Sequence, residues 1–149
     1  MDEERVKQIV SDMRFDSGKG DMAIDEIAVI QPGLARIMPE VGTRAWKLYY
    51  AAKAENWPNA MYQWKEAKKL LELGAYTRPK YEESIEEYLR DDWAPIEAAI
   101  KDKNLEKFLA AFDASVDSAN AWHEQKDKPY IRWKVPDQPP PDLDLTPRK

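Results

Sequence analysis

Residues 104–125 read NLEKFLAAFDASVDSANAWHEQ. Leu105, Phe108, Leu109, Phe112, Val116, Ala119 and His123 recur there at intervals of three and four, which gathers them on one stripe of a helix opening at about Asn104. Three earlier segments keep the same period. The first runs from about Pro32 to Ala54 with Leu34, Ile37, Met38, Val41, Ala45, Leu48 and Ala52 on its stripe, and Pro39 is expected to kink it if the helix reaches back to Gln31. The second is capped by Asn56, tolerates Pro58 in its first turn, carries Trp57, Ala60, Met61, Trp64, Ala67 and Leu71, and is expected to stop at Gly74. The third opens at Pro79 and carries Tyr81, Ile85, Tyr88, Leu89, Trp93, Ile96 and Ile100, with a bend expected at Pro95. Connections of about two to six residues favour antiparallel neighbours. The expected fold is all-α, an up-down-up-down four-helix bundle over residues 22–126.

Residues 1–21 are expected to form a short helix and a loop. Val6, Ile9, Val10 and Met13 form its apolar stripe, expected to dock on the main body, and Asp16-Ser17-Gly18-Lys19-Gly20-Asp21 reads as the loop. Its glycines and lysine lack P-loop spacing. No stretch shows sustained strand alternation. In residues 127–149, prolines at 129, 136, 139, 140, 141 and 147 preclude a regular helix, so an extended Pro-rich tail is expected. Tyr130, Ile131, Trp133 and Val135 are too apolar for a free tail and are expected to pack along the bundle, whereas Asp142-Leu143-Asp144-Leu145 and the last residues are expected to be mobile.

Composition narrows the function. With 23 Lys+Arg against 28 Asp+Glu among 149 residues, the net charge of -5 repels polyanions, and no nucleic-acid partner is expected. The absence of cysteine excludes disulfides, Fe–S clusters, Cys-ligated zinc, a cysteine nucleophile and thioether-linked haem. No apolar run approaches the roughly 20 residues of a membrane span. The acidic start Asp2-Glu3-Glu4 leads into no apolar signal region, which places the protein in the cytoplasm if Met1 is the native start and in the periplasm if a signal was removed. No zinc-protease motif, nucleophile elbow or nucleotide fingerprint is present, so no enzyme is expected. Glu82, Glu83, Glu86, Glu87, Asp91 and Asp92 read as a solvated acidic face. A di-metal bundle site needs Glu-x-x-His on two helices, and the one histidine has Asn120 three residues before it, so no metal is expected. Lys65, Lys68, Lys69, Arg78 and Lys80 oppose the acidic face in sign. Arg44, Tyr49, Tyr50 and Tyr62 read as the rim of a pocket.

The order of landmarks resembles small monohaem cytochromes with the c′-type bundle. The resemblance rests on Pro32-Gly33-Leu34, Ile37-Met38-Pro39-Glu40-Val41-Gly42, Arg44, Tyr49, Ala51-Ala52-Lys53-Ala54, Asn56-Trp57, Arg78-Pro79 and the Phe108–Phe112 region. It is most specific at Ala119-Asn120-Ala121-Trp122-His123, followed by Lys128-Pro129-Tyr130-Ile131 and Val135-Pro136. The family's motif there is Cys-x-x-Cys-His, with two thioethers to haem and an axial histidine. Here Ala119 and Trp122 stand at the two cysteine positions, and His123 keeps the ligand position. The resemblance thus implies the fold, and pairing of copies through the first two helices, without covalent haem.

His123 is expected on the core side of its helix, as an axial ligand or as a core or rim histidine bonded to a backbone carbonyl. A vacated cofactor space costs on the order of 24 cal/mol per Å³ if left empty, so refilling by Trp122 and its neighbours is expected. The preferred expectation is a haem-free binding or interaction protein with an unnamed protein partner, as a monomer or a homodimer. Two rivals are a non-covalent haem protein using His123 for electron transfer or gas binding, and a binder of small apolar molecules in the vacated cavity.

Overall fold

The computed structural model describes residues 2–16, 18 and 20–148; Met1, Ser17 and Lys19 of the predicted N-terminal segment and loop, and Lys149 of the tail, lie outside them. The chain is mostly helical and divides into two compact units, Met1–Pro32 and Gly33–Lys149.

The first unit begins with α1 (Glu3–Asp12), whose N-cap Asp2 accepts a hydrogen bond from the Arg5 backbone N–H at 2.8 Å. A hairpin follows, contrary to the expectation of no strand: β1 (Arg14–Asp16) pairs antiparallel with β2 (Asp21–Ala23), setting Phe15 opposite Met22. Three-residue strands are too short to display a period of two. Gly18 at φ 75° and Gly20 at φ 141° make the turn in backbone regions where other residues are strained. The short α2 (Ile24–Val29) closes the unit, and Glu26 accepts from the Ala23 N–H at 2.7 Å. Residues 22–29 thus belong to the end of the hairpin and the short helix of the first unit. The α1 stripe is exposed within this unit's surface, from 41% at Val10 to 47% at Ile9.

The second unit contains α3 (Leu34–Lys53), α4 (Trp57–Thr77), a 3-10 turn (Pro79–Tyr81), α5 (Glu82–Tyr88), a π turn (Leu89–Trp93), α6 (Ala94–Lys101) and α7 (Leu105–Gln125). Because α3 starts at Leu34, Pro39 falls in its second turn and removes one backbone bond, to Ala35. The third predicted helix is a composite. Pro95, second in α6, has no N–H for the Asp91 carbonyl, and the turn before it is widened so that Ala94 N–H donates to Leu89.

Two connections repeat one device. After α3, Glu55 takes φ 55° and Asn56 N–H returns to the Ala51 carbonyl at 2.8 Å; after α6, Lys103 takes φ 50° and Asn104 N–H returns to Ala99 at 3.1 Å. Each asparagine then caps the next helix, Asn56 accepting from Asn59 N–H and Asn104 from Lys107 N–H. Gly74, the predicted stop, lies inside α4 and is buried, because a Cβ there would sit 2.7 Å from the Leu34 side chain of α3. It is a packing glycine, and α4 ends three residues later.

Helix α3 packs on α4, α4 on α5 and α6, α6 on α7, and α3 on α7. Ala45, Ala51, Ala52, Ala60 and Ala67 keep the α3 and α4 backbones close, while Trp64, Trp93, Phe108 and Phe112 fill the core. Trp64 donates its indole N–H to the Trp93 carbonyl at 3.0 Å and Trp93 donates back to the Trp64 carbonyl at 3.4 Å, so both buried indoles are satisfied.

Candidate functional site

The last two turns of α7 and the segment after them form the candidate site. Past Gln125 the chain reverses at Asp127, with φ 59°, and Lys128 N–H donates to the His123 carbonyl at 2.8 Å. Residues 128–148 then form a strap without helix or strand. Its first attachment is to α7: Arg132 pairs with Glu124 at 2.7 Å, and Asn120 clamps the backbone of Trp133, donating to its carbonyl at 2.9 Å and accepting from its N–H at 2.8 Å. The Trp133 indole crosses to α3, where a Cβ on Gly42 would lie 2.9 Å from its Nε1, and its ring centroid is 6.5 Å from that of Phe112. Val135 and Leu145 also pack against the core.

Its second attachment is to one face of α3 and to the cap of α4. Tyr50 donates its hydroxyl to the Pro136 carbonyl at 3.0 Å, Trp46 its indole N–H to the Gln138 carbonyl at 2.8 Å, and Asn56 its side-chain N–H to the Leu145 carbonyl at 3.1 Å. Pro140 is buried, and Lys47 pairs with Asp142 at 2.6 Å. The expectation of a mobile Asp142–Leu145 segment is therefore corrected. Asp142 is held by Lys47 and Leu145 by the core, and Asp144 pairs with Arg148 within the tail.

His123 is half-buried, at the rim of this arrangement. Its Nδ1 lies 2.9 Å from the Ile131 carbonyl oxygen. A carbonyl only accepts, so Nδ1 carries the proton and the neutral ring keeps its lone pair on Nε2. Ala119 is half-buried. Trp122 is half-buried too, with the Lys126 ammonium 5.4 Å from its ring centre, and it stands outside the buried core cluster. Trp133, not Trp122, thus enters the α3–α7 seam, because the helical turn that buries Asn120 leaves Trp122 on the flank of α7.

The residues read as a pocket rim separate into different environments. Tyr49 packs on Phe112 with centroids 5.3 Å apart, Tyr50 holds the strap, and Arg44 bridges Glu40 and Gln63, both at 3.2 Å, beside Tyr62. On the acidic face, Asp92 accepts from the Ser118 hydroxyl at 2.8 Å. Partial burial pushes its carboxyl up from the usual range, against the Ser118 bond and with help from Asp91. Burial likewise pushes up the Tyr88 hydroxyl, which donates to the Ser115 carbonyl at 3.2 Å. Among the described residues no three His, Asp or Glu side chains converge as a metal site requires.

No family model, no curated protein and no solved structure matches this chain. Among the described residues, no helix is long and apolar enough to cross a membrane.

Two carboxylates of the strap respond to acid. Lys47 holds the Asp142 carboxyl below the usual carboxylate range, and the Thr146 N–H, the Thr146 side chain and Arg148 hold Asp144 down to about 2. The lowered Asp142 pKa stabilises the strap's attachment to Lys47 above pH 3.8, and that contribution is lost as pH falls through the lowered value, whereas the Asp144 bonds hold the strap's own end together. Amide-exchange protection at Trp133 and Thr146, corrected for intrinsic rates, is expected to fall between about pH 4 and pH 2 while helical ellipticity persists. Unchanged protection down to the lowest pH would show that the acidic residues do not hold the strap.

Proposed function

We propose that the second unit is an up-down-up-down four-helix bundle resembling c′-type monohaem cytochromes, which dispenses with haem and acts as a binding or interaction protein. The bundle reading is supported by four rods in chain order, α3, α4, α5 with α6, and α7, joined by short connections and closed by the α3–α7 contact. The observation that carries the haem-free reading is Trp133, seated between Gly42 and Phe112 and clamped by Asn120 three residues before His123.

The residues present do not fit a covalent haem: the chain has no thiol, and Ala119 and Trp122 cannot form thioethers. A second reading, non-covalent haem on His123, draws support from the Nδ1 bond to Ile131, which orients the ring and leaves Nε2 as a ligand. Titration with haemin distinguishes the readings. The expected result is no saturable Soret shift beyond that of a control protein, and none altered in His123→Ala. A one-to-one shift that disappears in His123→Ala would establish the second reading instead.

A further inference from the structure

We infer that the face of α3 bearing Trp46, Lys47 and Tyr50, together with Asn56 at the cap of α4, is a docking groove for an acidic, proline-rich extended segment of a partner protein, occupied in the isolated chain by its own tail. The inference deepens the reading of the chain as an interaction protein by naming the partner's chemistry. Its support lies in how the tail is held. The three uncharged donors, Trp46 Nε1, Tyr50 OH and Asn56 Nδ2, all reach main-chain carbonyls of the strap. Those carbonyls belong to Pro136, to Gln138 just before Pro139, and to Leu145; Asn56 Nδ2 also lies 3.4 Å from the carbonyl of Thr146, just before Pro147.

Proline fixes its own φ and keeps the preceding residue extended, so such a segment presents free carbonyls at low conformational cost. Tryptophan and tyrosine donors on an apolar face suit that pattern, as in domains that recognise polyproline segments. Pro140, buried in the strap, supplies the apolar contact. Lys47, paired with Asp142, adds a preference for a carboxylate downstream of the prolines, and Lys53 lies 5.5 Å from the Tyr50 ring centre. Between Pro136 and Thr146 every charged residue of the strap is an aspartate, Asp137, Asp142 and Asp144, and this stretch gives the acidic character expected of the partner.

The attachments are of a kind that exchanges. The Lys47–Asp142 pair is exposed on its Asp142 side, and exposed pairs contribute at most about 1 kcal/mol. A tethered tail competes at an effective concentration on the order of millimolar, so a free segment enters readily only when the tail is loosened.

The experiment uses the full chain carrying Asp142→Lys, which places like charges between tail and groove and leaves the groove residues intact. A fluorescein-labelled peptide of residues 134–148 is titrated in, with anisotropy as the readout. Saturable binding is expected, about fivefold to tenfold tighter than to the wild-type chain. Adding Trp46→Phe, which keeps a ring and removes the donor, should weaken it several-fold, as should alanines at 139–141 of the peptide. In a charge-swapped control, the Lys47→Asp chain should prefer the peptide carrying Asp142→Lys. Absence of saturable binding to both altered chains would overturn the inference, as would indifference to the charge swap. Gel filtration showing tail-exchanged dimers in place of peptide capture would overturn it in favour of self-association. None of these outcomes depends on the haemin titration, so each reading can fail separately.

Discussion

Trp93→Ala is expected to destabilise the protein by about 3–5 kcal/mol, a large share of the roughly 5–15 kcal/mol that holds a domain folded. The indole is 2% exposed, lies against Trp64, and is 6.0 Å from the Tyr88 ring centre, so its removal leaves a cavity among rigid aromatic neighbours that cannot collapse into it. Its hydrogen bond matters less: the N–H reaches the Trp64 carbonyl only at 3.4 Å, while Trp64 donates to the Trp93 backbone, which the substitution retains. Trp93→Phe, which keeps most of the volume and loses the N–H, is therefore expected to cost less than half as much. Urea unfolding at constant slope measures both. Equal losses would show that the indole hydrogen bond, not packing, dominates.

Gly42→Val is expected to cost about 1–3 kcal/mol through overpacking, although valine has the better helix propensity by a few tenths of a kcal/mol. A Cβ at position 42 would already sit 2.9 Å from Trp133 Nε1, and valine adds two methyl groups beyond it. The rigid indole, clamped at its backbone by Asn120, has to leave the seam or push α3 and α7 apart. In a Trp133→Ala background the obstacle is gone, and Gly42→Val should become neutral or slightly stabilising. The double-mutant cycle should thus yield an interaction of more than about 1 kcal/mol. Additive effects would mean that Trp133 does not occupy the notch.

The helical class was legible because four apolar stripes with a period near 3.6 extend over 15 to 20 residues, long enough for the period to dominate any single residue. Shorter features were not. The hairpin around Gly18 and Gly20 has three-residue strands, and the α1 stripe has the period of a docked helix although its residues are exposed. Two features misled because one residue type serves two physical ends. Glycine stops helices through positive φ, yet Gly74 and Gly42 admit Leu34 and Trp133, while Glu55 and Lys103 take the positive φ at the true ends. Proline breaks helices, but in the tail it also exposes carbonyls that Trp46 and Tyr50 of α3 and Asn56 at the cap of α4 reach, at separations of 86 to 92 residues. Such pairings carry no local signal.

The candidate site was only partly visible for the same reason. His123, Ala119 and Trp122 were found through a local motif, whereas Asn120, Gly42 and Trp133 come together only after α7 reverses at Asp127. The apolar character of Tyr130–Val135 signalled that this segment packs somewhere. Its destination depended on a notch in a helix some ninety residues earlier.

The seat of Trp133 in the α3–α7 seam can be tested most directly by nuclear Overhauser spectroscopy on the full chain. Cross-peaks are expected from the Trp133 indole N–H to the Gly42 Hα protons, and from the Trp133 amide to the Asn120 side chain, with slow exchange of that amide. An indole at its random-coil shift, without cross-peaks to Gly42 or Asn120, would contradict a seam closed by the protein's own tail.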